Sequence, residues 1–144
     1  MTEVKAKVKR VSVVKPPRNT SKVPYAELEG FEKDMRILSK LQNKQGSAER
    51  RGLDFNMNYQ SMKNMMEAKH CFYTGVLLTD SPAGNQPTDR TIERVDNEKG
   101  YIIGNVVACS YEANQVKATF EGRSSISLKT AIKMFSKIKV KIAK

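Results

Sequence analysis

Hydrophobic residues recur at three- and four-residue steps as far as residue 69, and beyond that point the period changes. This change limits the chain to an α+β fold, because an apolar pattern written for a helix does not suit a strand, nor an alternating one a helix. In residues 25–42, Leu28, Phe31, Met35, Leu38 and Leu41 fall on one helical face. Residues 43–52, with their Lys/Arg, Gln and Gly, are expected to interrupt the pattern. A second helix over 58–69 carries Met62, Met65 and Met66 on one side, where methionine serves as adaptable core filler.

After residue 69 the pattern reads as strands and turns. Residues 72–78, aromatic and aliphatic around Thr74 and Gly75, predict a strand, and TDSPAGNQPTDR (79–90) a long loop. Residues 91–95 predict a second strand, 96–104 a turn with two glycines, and 105–109 a short apolar strand. Ser110 is placed to cap a following helix with Ala113, Val116 and Phe120 inward. Residues 127–144 put Leu128, Ala131, Ile132, Phe135, Ile138 and Ile142 on one helical face and Lys129, Lys133, Lys137 and Lys141 on another. Residues 138–142 also alternate as an edge strand would, but the longer window favours a helix.

At 144 residues the chain has the length of one domain. Its formal net charge of +11 points away from neutral metabolites and towards a polyanionic partner. Residues 1–24 hold seven Lys/Arg against one Glu, and 115–144 eight against one, so the middle is slightly acidic. Basic ends around a central site suit phosphate contacts that weaken steeply with salt. Lys9, Arg10, Lys15 and Arg18 in the first segment and Lys117, Arg123, Lys129, Lys133 and Lys137 in the last are the expected nucleic-acid contacts. DNA is the expected polymer, with RNA the alternative; ten Phe and Tyr and no Trp offer no aromatic-rich strand for RNA.

Paired prolines and dense Lys/Arg make residues 1–24 an expected flexible basic arm. The two cysteines, Cys71 and Cys109, belong to no CxxC pair, and His70 is the single histidine, so no structural zinc is expected. With no secretory signal and no apolar run of membrane-spanning length, a cytoplasmic protein without a membrane role is expected.

The stretch TIERVDNEKGYIIGNVVACSYEANQVK (91–117), with HCFYTGVLL (70–78) before it, resembles the HNH (His-Me finger) endonucleases, in particular a phage-type branch. The matching pieces are Cys71 and Gly75, the acidic-Arg-aliphatic-Asp run from Glu93 to Asp96, the Gly100-Tyr101 turn, the Gly104-Asn105 pair with its aliphatic strand, and Asn114 with Lys117. They cover roughly 50 of 144 residues, and it is their order and spacing that are specific. The resemblance implies a zinc-less, treble-clef-like ββα finger over 70–120, between a helical segment at 25–69 and a basic C-terminal helix at 121–144.

It also implies a metal-dependent endonuclease, with Glu93 and Asn114 as ligands of Mg²⁺ or Mn²⁺ and Asn105 tying down the loop behind the site. Metal-assisted phosphodiester hydrolysis needs such ligands and a base to activate water. The family's base histidine is Arg94 here, which cannot accept a proton near neutral pH. Arg94 is expected instead to clamp a phosphate, with Asp96, Asp89 or His70 as substitute base; a shifted register would use Asp89 and Arg90. Without that histidine the alternative is an inactive, HNH-like protein that binds nucleic acid or regulates its host. A phage or its bacterial host cytoplasm is the expected setting.

Overall fold

The computed structural model describes residues 22–121, 125 and 127–139. The arm at 1–21, Arg123 and residues 140–144 lie outside the described residues, and with them the expectations for Lys9, Arg10, Lys15 and Arg18. The architecture is α+β: a 3₁₀ turn at Tyr25–Glu27, helices α1 (Gly30–Arg51) and α2 (Tyr59–Glu67), strands β1 (Arg90–Arg94) and β2 (Val106–Ser110), then α3 (Tyr111–Phe120) and α4 (Leu128–Phe135). None of the described helices is long and apolar enough to cross a membrane.

Helix α1 does not break at residue 43 but runs on to Arg51, where Gly52 takes a left-handed conformation (φ 63°) and its N–H caps the carbonyls of Ala48 and Glu49. Mid-helix Gly46 costs about 1 kcal/mol of propensity. Burial of Ile37, Leu41 and Ala48 outweighs it. The inward face also differs from the expected one: Phe31 is 67% and Met35 50% exposed, while Ile37 and Ala48 are buried. Two apolar stripes share this helix, and contact with α2 selects the one carrying Ile37.

Helix α2 opens on a capping box, in which Asn58 Oδ1 accepts from Ser61 N–H (2.9 Å) and Ser61 Oγ from Asn58 N–H (2.8 Å). Met62 and Met66 are buried on its inner side. At its other end the Arg90 guanidinium donates to the carbonyls of Met65 (3.0 Å) and Ala68. A cation there completes orphan carbonyls and complements the helix dipole.

Residues 72–78 form no strand. Cys71 N–H donates to Val76 O (2.8 Å) and Gly75 N–H to Cys71 O (2.9 Å), closing a tight turn that only the positive φ of Gly75 (72°) permits. Phe72, Tyr73 and Leu77 therefore face solvent, and Cys71 and Leu78 face inward.

Strands β1 and β2 pair antiparallel, with Glu93 opposite Val107 and Thr91 opposite Cys109. One core cluster joins Tyr25, Ile37, Ala48 and Met62 of the helical half to Ile92, Tyr101 and Val106 of the strand half, so the two share a single interior. A second cluster holds Cys71, Leu78, Ala108, Cys109 and Ala113, with Met65 packed against both. Helix α4 ends at Phe135, short of the expected span, because Ser136 Oγ bonds back to Lys133 O (2.9 Å) and the backbone tightens around Met134 O. Val116 and the apolar residues Leu128, Ile132 and Phe135 are exposed; Phe120 meets Phe135 edge to face at 6.4 Å.

Candidate functional site

The two-residue period of β1 sorts its side chains. Ile92 and Arg94 point into the core, while Thr91 and Glu93 lie on the opposite face. Helix α3 follows β2 without a loop, because Ser110, the last strand residue, is also the cap: its Oγ accepts from Ala113 N–H at 3.1 Å. This tight reversal lays α3 against β1. Asn114, one turn into the helix, thereby donates from Nδ2 to Glu93 Oε1 at 3.4 Å. The two residues expected to share a cation are thus brought together across 21 positions of sequence.

Turning the Asn114 amide about its last bond would present its oxygen beside the Glu93 carboxylate, and the two orientations are alike in shape. Two protein oxygens and several retained waters are a fitting donor set for Mg²⁺, which dehydrates reluctantly. Among the described residues no three His, Cys, Asp or Glu side chains are grouped closely enough to hold a metal on their own.

Around this pair, Lys117, one further turn along α3, is in ion contact with Glu121, so the lysine expected to meet phosphate is held against its own helix. Thr91 Oγ1 lies 3.1 Å from Cys109 Sγ. Burial pushes the Cys109 thiol up, as does the charge of Cys71. Partial burial raises the pKa of the Tyr73 hydroxyl, and the charges of Cys71 and Glu93 act in the same direction. Burial works against ionisation of Cys71, but hydrogen bonds from Thr74 and Ser110 outweigh it and bring the thiol down to about 6. Both cysteines are free and buried.

Arg94 does not act as a phosphate clamp in this arrangement. It is 6% exposed, and its Nη1 donates to the carbonyls of Asn97 (2.7 Å) and Lys99 (2.8 Å), with its guanidinium 5.3 Å from the centre of the Tyr101 ring. It braces the turn between the strands from the inside. Asn105, just before β2, does the same: Oδ1 accepts from Asp96 N–H (2.9 Å), and Nδ2 donates to Asp96 O (3.0 Å) and Gly100 O (2.9 Å). Replacing Asn105 with alanine orphans buried backbone groups and is expected to cost about 2 kcal/mol. A denaturant midpoint unchanged in Asn105→Ala would remove this role.

None of the proposed substitute bases reaches the Glu93–Asn114 pair by a hydrogen bond among the described residues. The Asp96 carboxylate accepts from Glu98 N–H (3.0 Å) within its own turn and lies 3.9 Å from Lys99 Nζ. His70 is exposed and bridges to Leu77. Asp89 is buried and fully engaged, accepting from Thr79 Oγ1 (2.7 Å), Ser81 Oγ (2.8 Å), Ser81 N–H (3.1 Å) and Gln86 N–H (3.0 Å). These bonds close the 79–89 loop and leave the shifted register, with Asp89 as ligand, without a free carboxylate.

Burial opposes the Asp89 charge, but the bonds from Thr79, Gln86 and Ser81 prevail and hold its pKa below the ordinary value. A carboxyl depressed on folding stabilises the fold fully above its unfolded pKa of about 3.9, and that stabilisation is lost as pH falls through the folded value. The melting-temperature gap between wild type and Asp89→Asn is therefore expected to be wide at neutral pH and to narrow in acid below about pH 4. A gap that stays constant on acidification would contradict this origin.

Glu93 also opens onto a groove of about 450 Å³ that sequence reasoning did not anticipate. One wall is β1 and the 79–85 loop; the other is α1, with Arg36, Lys40 and Lys44 at four-residue steps. That spacing is the sequence signal that could have revealed a shared face.

No protein family matches the chain, and no solved structure does. The chain is 34% identical over 85 residues, 59% of its length, to an uncharacterized 29.0 kDa protein in the dda-modA intergenic region of Enterobacteria phage T4. The matched segment spans about a third (33%) of that protein's length.

Proposed function

We propose that this chain is a metal-dependent endonuclease of the HNH type that hydrolyses phosphodiester bonds in DNA. The observation that carries this reading is the meeting of Glu93 and Asn114, from strand and helix, at 3.4 Å beside an open groove. A divalent cation held there would supply Lewis acidity to a phosphate oxygen and stabilise the charge that builds up on the leaving oxygen. Glu93 and Asn114 fix its position; Asn105 and Arg94 keep the strand connection rigid behind them. The similarity to a phage T4 protein supports a phage origin and hence a host cytoplasmic setting.

A second reading is favoured by one observation. Arg94, at the position of the family's base, is turned into the core, and none of Asp89, Asp96 and His70 is hydrogen-bonded to the Glu93–Asn114 pair. On that reading the same scaffold binds nucleic acid without cutting it. Supercoiled plasmid incubated with Mg²⁺, Mn²⁺ or EDTA separates the two. Relaxation that needs the metal supports the nuclease; intact plasmid under all conditions, with salt-sensitive binding, supports the binding protein.

A further inference from the structure

Besides Arg90, which is paired with Asp80, the groove that takes in Glu93 is lined by four cationic residues, Lys22, Arg36, Lys40 and Lys44, facing β1 and the 79–85 loop. Arg36 donates from Nη2 to Val23 O at 2.9 Å and so pins the segment carrying Lys22 at the groove's end. Lys44 sits with its ammonium 5.4 Å from the centre of the Tyr101 ring, held over the aromatic face. Lys40 lies between them, one helical turn from each, a rise of about 6 Å along the axis.

The carboxylates of the groove do not neutralise this wall. Asp80 pairs with Arg90 at 3.1 Å, and Asp89 is consumed by its own loop. Lys40 has no carboxylate partner among the described residues. Partial burial lowers its pKa, as do the charges of Arg36 and Lys44, against an opposing pull from Asp80. Lys40, exposed on the groove wall with Arg36 and Lys44 one turn to either side, is relieved of like-charge repulsion when an anion enters. Glu93, on the β1 wall, repels a free carboxylate or phosphate unless a metal stands between, so the groove is attractive along α1 and conditional at β1.

We propose that the α1 wall, centred on Lys40 and Lys44, is a phosphodiester-backbone site that feeds a nucleic-acid strand towards Glu93. It deepens the proposed function and rests on it for the nature of the polymer, but it does not require cleavage. The contacts are ionic and carry no base information, so they set position and affinity rather than sequence preference.

The test is fluorescence anisotropy in EDTA, where nothing is cut, with a labelled DNA duplex and an RNA duplex of the same sequence. Lys40→Glu/Lys44→Glu is expected to weaken binding of at least one duplex by about tenfold or more at 150 mM salt, and to flatten the plot of log affinity against log salt by about 2 units. Which duplex responds identifies the source of the backbone. Lys69→Glu, exposed and outside the groove, makes the same kind of charge change and is expected to have a much smaller effect per residue. If charge reversal lowers the melting temperature, Lys40→Gln/Lys44→Gln carries the same salt-slope test. Unchanged affinity and slope for both duplexes, or an equal per-residue loss in Lys69→Glu, overturns the site. Intact plasmid together with groove-dependent binding would sink the nuclease reading and leave the groove standing; metal-dependent relaxation with groove-independent binding would do the reverse.

Discussion

Glu93→Ala is expected to slow metal-dependent plasmid relaxation by roughly 100- to 1,000-fold, the scale of losing one preorganised contact to charge that develops in the transition state. Asn114→Ala should follow with a loss of about tenfold or more, since it removes the partner that orients the carboxylate as well as a ligand oxygen. Affinity for DNA in EDTA should stay within about twofold for both, because neither removes a cation that meets phosphate. Glu93 is half-buried and Asn114 likewise, and their mutual bond is neither short nor deeply enclosed, so the fold should tolerate both changes. The pattern of lost turnover with retained binding is what distinguishes a ligand pair from an ordinary surface hydrogen bond. Relaxation at the wild-type rate in both variants would mean that the chemistry lies elsewhere in the chain.

Among the described glycines, Gly100→Ala is expected to damage stability most. A Cβ at position 100 would fall on the carbonyl oxygen of Asp54 and lie 2.7 Å from its carbonyl carbon and amide nitrogen. These are backbone atoms, with no side chain to swing aside. The two segments are joined there by Tyr101 N–H to Asp54 O (2.8 Å) and Asn56 N–H to Tyr101 O (3.1 Å), a short parallel bridge between Phe55 and Tyr101. Separating them breaks both bonds and uncovers the Tyr101 ring, which is buried in the main core. The cost should exceed about 4 kcal/mol, in the range reserved for disruption of a core or a buried network. The melting temperature should fall by more than about 10 °C. Gly84→Ala is the control: its φ of 70° strains an alanine, but nothing stands within 4 Å of the added carbon. A loss there of only about 1–2 kcal/mol, against a much larger one at Gly100, would confirm that backbone approach is the cause. Equal melting temperatures for the two variants would refute it.

How much of this was legible in the sequence depended on how local each feature is. The capping of α3 by Ser110 and the pairing of strands near 91–95 and 105–109 could be read from adjacent residues, and the observed strands differ by one position at each end. The length and face of α1 could not. Leu41 packs inward as expected, but Phe31, Met35 and Leu38 give way to Ile37 and Ala48, and only packing against α2 decides between the two stripes. Residues 72–78 have the composition of a strand, but Gly75 lets the chain turn back on itself, and backbone bonds from Cys71 close the turn. At the site, Glu93 and Asn114 were implied by the resemblance of residues 91–117 to the HNH pattern, whereas the role of Lys40 and Lys44 arises from lying across a groove from a strand some 50 residues later, a relation no local pattern encodes. The inward turn of Arg94 was available and overlooked: with Ile92 as a core residue, strand alternation already sends Arg94 the same way.

That alternation decides where a proton acceptor could be introduced. Arg94→His would set an imidazole among the carbonyls of Asn97 and Lys99 and against the Tyr101 ring, on the far side of the strand from Glu93. It would remove the brace and deliver no base. Within β1 the odd-numbered positions are the workbench and the even-numbered ones the mortar, so a histidine scan aimed at catalysis belongs at Thr91, or on the α3 surface around Asn114.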